Sequence, residues 1–232
     1  MYAMDRLQAN LAAHGTAFFA HWQTAGKGQR GKNWSADPGK NIALSIIVDC
    51  SFLNLSNPFP LSVMTGLACH DLFNKYATDQ VKIKWPNDIY WRDRKAGGIL
   101  IENQIRGEQW LGSVIGIGMN INQTQFPETL KNPVSLKQIT GKDHDPVVLA
   151  KELCECLDKR YRELKSGAGE IQLSYYNDQL FRRDERVRLK SGNAAFYCKV
   201  RGVNSSGELL VSDHVRESFR FGEIEWDLQN IE

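Results

Sequence analysis

The sequence predicts an α+β protein in which a mixed, mostly antiparallel sheet flanked by helices is followed by a small all-β barrel. Strand-like alternation of apolar residues recurs through the first 181 residues, with helix-like apolar stripes between the strands. After Phe181 the pattern changes to short apolar runs separated by turn-forming clusters, at intervals of roughly ten residues. We therefore expect two domains, residues 1–181 and residues 182–232.

Five segments carry the strand periodicity expected of the sheet. Residues 16–22 form an apolar, aromatic run, and residues 42–48 alternate as a half-buried strand does. Residues 81–85 alternate before a turn, and residues 98–101 can pair with residues 110–121 across a glycine-containing turn. Short connections between consecutive strands favour antiparallel pairing.

Helical spacing predicts four helices around this sheet. The first eleven residues form a short one, and a longer one begins at Pro60, since proline is favoured in the first turn. A third begins at Asp145-Pro146, where aspartate can cap the helix, and a fourth covers residues 171–180.

The composition excludes several classes of protein. The 29 basic and 27 acidic residues nearly cancel, so no global field favours DNA or an anionic membrane surface. No run approaches the roughly 20 apolar residues needed to span a bilayer, and the first residues lack the apolar run of a signal peptide, so a cytoplasmic protein is expected. The five cysteines show no CxxC spacing and the histidines no HExxH pattern, so we expect reduced thiols and assign no metal ligand.

Residues 26–31, with the sequence GKGQRG, match the GxGxxG pattern of dinucleotide-binding folds, and Asp49 lies where such a fold keeps a ribose-binding acid. That fold needs a whole helix between the loop and the next strand. Pro38-Gly39 interrupts the short segment available, so a dinucleotide site of this kind is excluded.

The same loop carries three cations, Lys27, Arg30 and Lys32, separated by glycines. Glycines let the backbone approach a ligand closely, and several cations suit a phosphate whose charge grows during a reaction. The alternative is a solvated surface turn.

Three further signals lie downstream. Residues 84–88, Lys-Trp-Pro-Asn-Asp, run from a strand into a rigid turn that can present side chains at a sheet edge, although turn formation alone explains the same residues. Lys95 precedes a glycine pair and a buried strand, so its ammonium either points at a reacting phosphate or carboxylate or is solvated. Gly116 and Gly118 interrupt an apolar strand, which lets a flat ligand lie on the backbone or marks a bulge.

In this order and at this spacing, the segments resemble the biotin protein ligases, the biotin–[acetyl-CoA-carboxylase] ligase family. The resemblance covers nearly the whole chain and is carried by Gln23, Gly26 to Gly31, Trp34, Lys84 to Asp88, Lys95 to Leu100 and Gly116 to Asn122. It implies a fold related to class II aminoacyl-tRNA synthetases, followed by a small SH3-like barrel. It also implies biotin and ATP as substrates, Mg²⁺ as the metal of ATP, and a biotin carboxyl carrier protein or domain as acceptor. It implies no DNA or membrane partner and allows a homodimer.

The resemblance implies that biotin is activated as its adenylate and then transferred to a lysine of the carrier. Lys27, Arg30 and Lys95 would be the catalytic cations that stabilise the charge developed when two anions meet. The biotin site would be lined by Gln23, Gly26, Lys27, Gly28, Gln29, Lys95, Gly98, Ile99, Leu100 and Gly116. The nucleotide or its metal would be bound by Arg30, Gly31, Trp34, Asn87, Asp88 and Asn120.

The chain departs from the family pattern in two places. Gln29 stands where many members carry a further arginine, so we expect weaker retention of the adenylate unless Arg30 compensates. The family's Ser-Thr-Asn segment, a biotin contact, would lie immediately before residue 1, which puts one wall of the biotin site in question. No winged-helix region precedes the first predicted helix, so no repressor function is expected.

Two other functions compete with this interpretation. A lipoate–protein ligase shares the chemistry and the catalytic fold, but Trp34 after the basic glycine loop favours biotin. A non-enzymatic nucleic-acid-binding module would use the basic loop and the barrel, and the near-neutral net charge disfavours it.

Overall fold

The computed structural model of the chain describes residues 2–78 and 80–228. Its helices are α1 (Tyr2–Gln8), α2 (Phe59–Ala77), α3 (Leu136–Thr140), α4 (Pro146–Lys165) and α5 (Gly169–Asp178). Its strands are β1 (Ala17–Phe19), β2 (Gly26–Lys27), β3 (Asn33–Trp34), β4 (Ile42–Val48), β5 (Val81–Lys84), β6 (Asp88–Trp91), β7 (Arg94–Arg106), β8 (Gln109–Met119), β9 (Arg186–Ser191), β10 (Ala194–Val203), β11 (Leu209–Ser212), β12 (Ser218–Phe219) and β13 (Glu225–Trp226).

Six strands form the first sheet, in the order β1-β4-β8-β7-β6-β5. Every pair of neighbouring strands is antiparallel, and the long hairpin of β7 and β8 lies at its centre. The predicted α+β class with a mostly antiparallel sheet is therefore confirmed. The predicted strand at residues 16–22 is shorter than expected, because only Ala17–Phe19 pairs with β4.

Helices α2, α4 and α5 cover one face of this sheet and enclose the main hydrophobic core. Helix α2 carries Pro60 in its first turn, as its sequence predicts. Helix α4 begins after Asp145, whose carboxylate accepts hydrogen bonds from the backbone N–H groups of Val147 and Val148. Its predicted apolar stripe, from Leu149 to Leu164, is buried against the core.

The opposite face is covered at one end only. There α1 packs on the sheet through a small apolar cluster that includes Ala3, Ile47 and Val114. Side chains alternate between faces along a strand, so residues two and four positions from Val114 on β8 share its face. These are Gly116 and Gly118, both partly exposed beyond α1. The sheet therefore has one face whose far end is open.

The last five strands form a second sheet, in the order β12-β11-β10-β9-β13. No pairing between the edge strands β12 and β13 is found in the part of the chain that the structure describes, so the predicted closed barrel is not confirmed. Both edge strands are only two residues long, which leaves little backbone to close the sheet. Residues 229–232 of the predicted barrel lie outside the described residues.

The second sheet packs beside residues 84–88 of the first. The indole Nε1 of Trp85 donates to the carbonyl of Gly207 at 3.0 Å, and that of Trp226 donates to the carbonyl of Trp85 at 3.1 Å. Further along the interface, the Asn177 side chain exchanges two hydrogen bonds with the backbone of Val203. These contacts fix the C-terminal sheet against the 84–88 segment and against helix α5.

Two further observations concern the described residues. No helix within them combines the length and apolar character needed to cross a membrane. All five cysteines are free thiols, and burial raises the pKa of Cys50 and Cys198 to about 11, so both stay protonated near neutral pH.

Candidate active site

A single row of directly opposed residues crosses the open face of the first sheet. Ala43 on β4 lies opposite Gly118 on β8, and Gly118 lies opposite Gly98 on β7. Gly98 lies opposite Asp88 on β6, and Asp88 lies opposite Lys84 on β5. Opposed residues of an antiparallel pair point to the same face, so the row places two glycines between a small residue and two charged ones.

The neighbouring row continues this small-residue surface. Ser45, Gly116 and Leu100 lie opposite one another on β4, β8 and β7. A β-carbon at Gly116 would lie 3.4 Å from the carbonyl oxygen of Leu100, so nothing stands above it. Together the two rows form a flat floor on which a planar ligand can lie against the backbone.

Lys95 joins this floor because of a β-bulge. Lys95 and Gly98 are three residues apart, and regular alternation would place them on opposite faces of β7. The pairing of β6 with β7 shifts between Ile89 and Tyr90, so Tyr90 opposes Lys95 while Ile89 opposes Gly97. The extra residue turns Lys95 to the open face, and such bulges often aim a side chain at a site.

The Lys95 ammonium lies above Gly98 and donates to Asp88. Its Nζ is 2.6 Å from Oδ1 of Asp88, and the side chains are 34% and 15% exposed, respectively. A β-carbon at Gly98 would lie 3.4 Å from Nζ, so glycine leaves the space that the ammonium occupies. This arrangement presents a strand-anchored cation to the floor.

The glycine-rich loop forms a hairpin that walls the floor on the β8 side. The Trp34 indole lies on Gly118 so closely that a β-carbon there would be 2.3 Å from the nearest ring atom. Gly26 is required for the same fit, because a β-carbon would lie 2.3 Å from the carbonyl oxygen of Trp34 and 3.2 Å from Oε1 of Gln23. The indole Nε1 is buried and has no hydrogen-bond partner among the described residues. A buried donor left unpaired points to a ligand that would accept from it.

The tip of the hairpin faces outward. Lys27 is exposed, and Gln29 and Gly28 are half-buried. Arg30 has a left-handed backbone (φ 55°) and is followed by Gly31, also at positive φ. The Arg30 guanidinium lies 3.9 Å from Glu225 on β13, so it contacts the C-terminal sheet and not Lys95.

Two asparagines support the strand that carries Lys95. Asn87 donates from its side chain to the carbonyl of Ile99 at 2.8 Å, and its own carbonyl accepts from the Ile99 N–H at 2.9 Å. Asn120 is buried, and its amide donates to the carbonyls of Val134 at 3.1 Å and Lys95 at 3.4 Å. Both side chains fix the backbone around the floor.

Ile99 does not reach the floor with its side chain. It points to the helix-covered face, where it lines a cavity of about 220 Å³ together with Ile83 and Tyr176. Gln29 and Asn87, two other predicted site residues, line the same cavity, so the role of Ile99 in a biotin pocket stays a prediction, whereas Gly98 and Leu100 lie on the open face.

The sequence patterns pointed to the segment 84–88 but gave Lys84 no role, and they missed Tyr90 and Trp226. Lys84 is buried at the end of the row, and its ammonium lies 5.0 Å from the Tyr90 ring centroid and 5.3 Å from that of Trp226. Burial lowers the pKa of Lys84 to about 8, while nearby Asp88 opposes this effect. The turn at residues 85–87 places Lys84 and Asp88 opposite each other on paired strands. This spacing could have predicted that Lys84 lies beside Asp88. No pattern in the sequence brings Trp226 to this site.

Comparison with known proteins gives a consistent result. The sequence model of the biotin/lipoate A/B protein ligase family matches residues 2–120. The Bifunctional ligase/repressor BirA of Bacillus subtilis is 32% identical over 209 residues, which cover 88% of this chain and 64% of that protein. The Biotin–[acetyl-CoA-carboxylase] ligase of Paracoccus denitrificans is 26% identical, over 83% of this chain and 82% of that protein. This chain thus spans less than two thirds of the length of the Bacillus relative.

Among solved structures, the biotin protein ligase from Aquifex aeolicus in complex with biotin and ATP superposes with a TM-score of 0.79. The match covers 95% of this chain and 92% of that one at 24% identity. It shows that the two chains share a fold.

Proposed function

The chain belongs to the biotin/lipoate A/B protein ligase family, and from this premise we propose that it activates biotin with ATP and transfers it to a lysine of a carrier protein. The observation that carries the proposal is the Lys95 ammonium above a floor of glycines, between Asp88 and the Trp34 wall. The Aquifex ligase that shares this fold is described with biotin and ATP, and the Paracoccus relative is named for acetyl-CoA carboxylase.

In the first step, a carboxylate oxygen of biotin attacks the α-phosphorus of ATP. The bond to the β-phosphate oxygen breaks, and pyrophosphate leaves with that electron pair. Both reactants are anions, so the step needs positive charge at the point of attack. Lys95 supplies it from a fixed position above Gly98, and we propose Lys27 and Arg30 of the hairpin as further cations.

The floor and the hairpin hold the two substrates. We place the nucleotide against Trp34, whose unpaired indole N–H can donate to it, with Gly31, Arg30 and Asn120 nearby. We place biotin over Gly98, Leu100 and Gly116, with Gln23, Gly26, Gly28, Lys27 and Gln29 at its head-group end. Small residues under a flat ligand exclude water from the reacting atoms.

Asp88 and Asn87 suit the Mg²⁺ ion that accompanies ATP. Oδ2 of Asp88 accepts no hydrogen bond from the described residues, and Asn87 uses its amide N–H but not its side-chain oxygen toward Ile99. Hard oxygen ligands of this kind, together with phosphate oxygens, are what Mg²⁺ prefers. The ion would neutralise phosphate charge when bound.

In the second step, the amine of a carrier lysine attacks the acyl carbon of biotinyl-adenylate. An amide bond forms, the bond to the phosphate oxygen breaks, AMP leaves, and the amine loses a proton. Lys95 stays close to the departing phosphate throughout. We take the acceptor to be a biotin carboxyl carrier protein or domain.

We also propose that the chain divides at residues 181 and 182 into a catalytic domain and a small SH3-like domain. The supporting observation is that, in the described part of the chain, β9 to β13 form a sheet of their own.

The test is biotin-dependent exchange of labelled pyrophosphate into ATP. We expect exchange with biotin and none with lipoate. Lys95→Ala should reduce it by on the order of 3 kcal/mol of barrier, or about 100-fold, as removal of an oxyanion donor does. Lys142→Ala, at an exposed loop position, is the control and should retain full exchange. Exchange that depends on lipoate instead, or full exchange in Lys95→Ala, would contradict the proposal.

A further inference from the structure

Lys84 ends the row of opposed residues that forms the floor. It faces Asp88 across the β5–β6 pair, and Asp88 in turn binds Lys95. The three charged side chains therefore follow one another on the same face of the sheet. None of the contacts described so far gives Lys84 a part in the reaction.

The surroundings of Lys84 are unusual for a lysine. The residue is only 9% exposed, and no carboxylate among the described residues forms an ion pair with its ammonium. The rings of Tyr90 and Trp226 lie on either side of it at 5.0 and 5.3 Å. Aromatic faces attract a cation, which offsets part of the cost of burying it.

The two rings beside Lys84, which we call the clamp, belong to different sheets. Tyr90 belongs to β6, whereas Trp226 belongs to the C-terminal sheet and is held by its hydrogen bond to the carbonyl of Trp85 at 3.1 Å. Its ring also packs against Phe181 at 5.7 Å. The C-terminal sheet thus contributes one of the two rings that hold the Lys84 ammonium.

The charges of Asp88 and Lys95 explain what the Lys84 ammonium contributes. Lys95 and Asp88, 2.6 Å apart, form a pair with no net charge, and such a pair attracts an anion only weakly. Lys84 adds one positive charge next to the carboxylate. Asp88, Lys95 and Lys32 each lie close enough to Lys84 to act on its charge.

We propose that Lys84, held between Tyr90 and Trp226, is a positioning residue that offsets the charge of Asp88 and so leaves Lys95 available to the reacting phosphate. The inference rests on the proposed function, because it concerns the same adenylation step. Lys84 acts through Asp88 and Lys95 and does not touch the substrates.

A purely structural role predicts a different behaviour. Replacing a buried charge by an apolar side chain of similar size is often neutral or stabilising. If Lys84 only fills space, Lys84→Met should be at least as stable as the wild type and equally active. If it supports Lys95, Lys84→Met should keep the fold and lose activity.

The experiment compares Lys84→Met and Lys84→Arg with the wild type in biotin-dependent pyrophosphate exchange, with thermal unfolding of each. Lys82→Met is the matched control, because Lys82 lies two residues earlier on the same face of β5 and donates to Gln179 outside the row. We expect Lys84→Met to lower kcat about 10- to 100-fold, less than the loss of a direct donor. The KM for ATP should stay within about threefold, because the charge acts mainly as the transition state forms.

Lys84→Arg should recover part of the lost kcat, and Lys82→Met should match the wild type. Full kcat in Lys84→Met, or equal losses in Lys84→Met and Lys84→Arg, would overturn the inference.

If Lys84→Met does not fold, Trp226→Leu is the deciding variant, since it removes one of the two rings beside Lys84 and keeps the charge. A lowered kcat at constant KM then supports the inference, and an unchanged kcat refutes it. Absence of exchange in the wild type would instead refute the proposed function.

Discussion

The contact between Trp34 and Gly118 gives the sharpest prediction, because one methyl group should break it. A β-carbon at Gly118 would lie 2.3, 2.6 and 2.8 Å from three indole atoms of Trp34. Carbon atoms in contact are normally about 3.5–4.0 Å apart, so the indole must move by about 1 Å or leave the floor. Gly118→Ala should therefore displace the wall that we assign to the nucleotide.

The expected magnitude follows from the cost of overpacking. Forcing a methyl group into a filled site costs about 1–3 kcal/mol. If the indole is needed in place for nucleotide binding, the same energy weakens ATP affinity by about 5- to 150-fold. Calorimetric titration of ATP in the presence of biotin measures it, and urea unfolding reports whether the hairpin has absorbed the change instead.

Two controls separate the clash from other effects. Gly116→Ala lies on the same face of β8, and its β-carbon would meet only Leu100, at 3.4 Å or more, so the stability should be unchanged. In a Trp34→Ala background the clash is absent, so Gly118→Ala should cost nothing further in ATP affinity. Wild-type ATP affinity in Gly118→Ala, or additive losses in the double variant, would refute the reasoning.

Three further predictions concern stability. Lys84 has a folded pKa of about 8 against 10.5 when unfolded, so its burial destabilises the protein below pH 8 and this penalty disappears as pH rises to 10.5. Lys84→Met should accordingly be more stable than the wild type by up to about 3 kcal/mol at pH 7, and this difference in unfolding free energy should shrink above pH 8. A difference in urea unfolding that stays constant between pH 7 and pH 10.5 would show that the lowered pKa of Lys84 is not its cause. Asn120→Ala should cost about 1–3 kcal/mol in unfolding free energy, because the carbonyl of Val134 loses its donor while that of Lys95 keeps the Val134 N–H, and an unchanged value would show that water replaces the amide. Glu225→Gln should change stability by less than about 0.5 kcal/mol, since its contact with Arg30 is long and exposed; a larger loss in thermal unfolding would mean that this pair holds the hairpin.

Local sequence patterns, namely apolar periodicity and capping residues, predicted most strands and helices of the first domain. The alternation of residues 42–48 and the stripe after Pro60 reappear as β4 and α2 with nearly the expected bounds. Helix α4 also begins directly after Asp145, the predicted N-cap residue. In these segments local propensity and burial favour the same structure, so the sequence alone is sufficient.

The site was predicted less completely, because it depends on pairing between distant strands. That Lys95 shares a face with Gly98 follows from a bulge in β6 and β7, which alternation alone does not reveal. The fit of Trp34 on Gly118 joins residues 84 positions apart, and Trp226, which contacts Lys84, comes from the C-terminal sheet. Closure of a barrel likewise depends on pairing between β12 and β13, which the spacing of turns could not determine.

The proposed mechanism depends on Lys95, above Gly98, facing the α-phosphate of ATP that the biotin carboxylate attacks. A crystal structure of this chain with a non-hydrolysable analogue of biotinyl-adenylate tests it most directly. We predict the phosphate mimic within hydrogen-bonding distance of Lys95 Nζ, with the adenosine against Trp34. An analogue bound away from the floor, or bound there with Lys95 still directed only at Asp88, would contradict the claim.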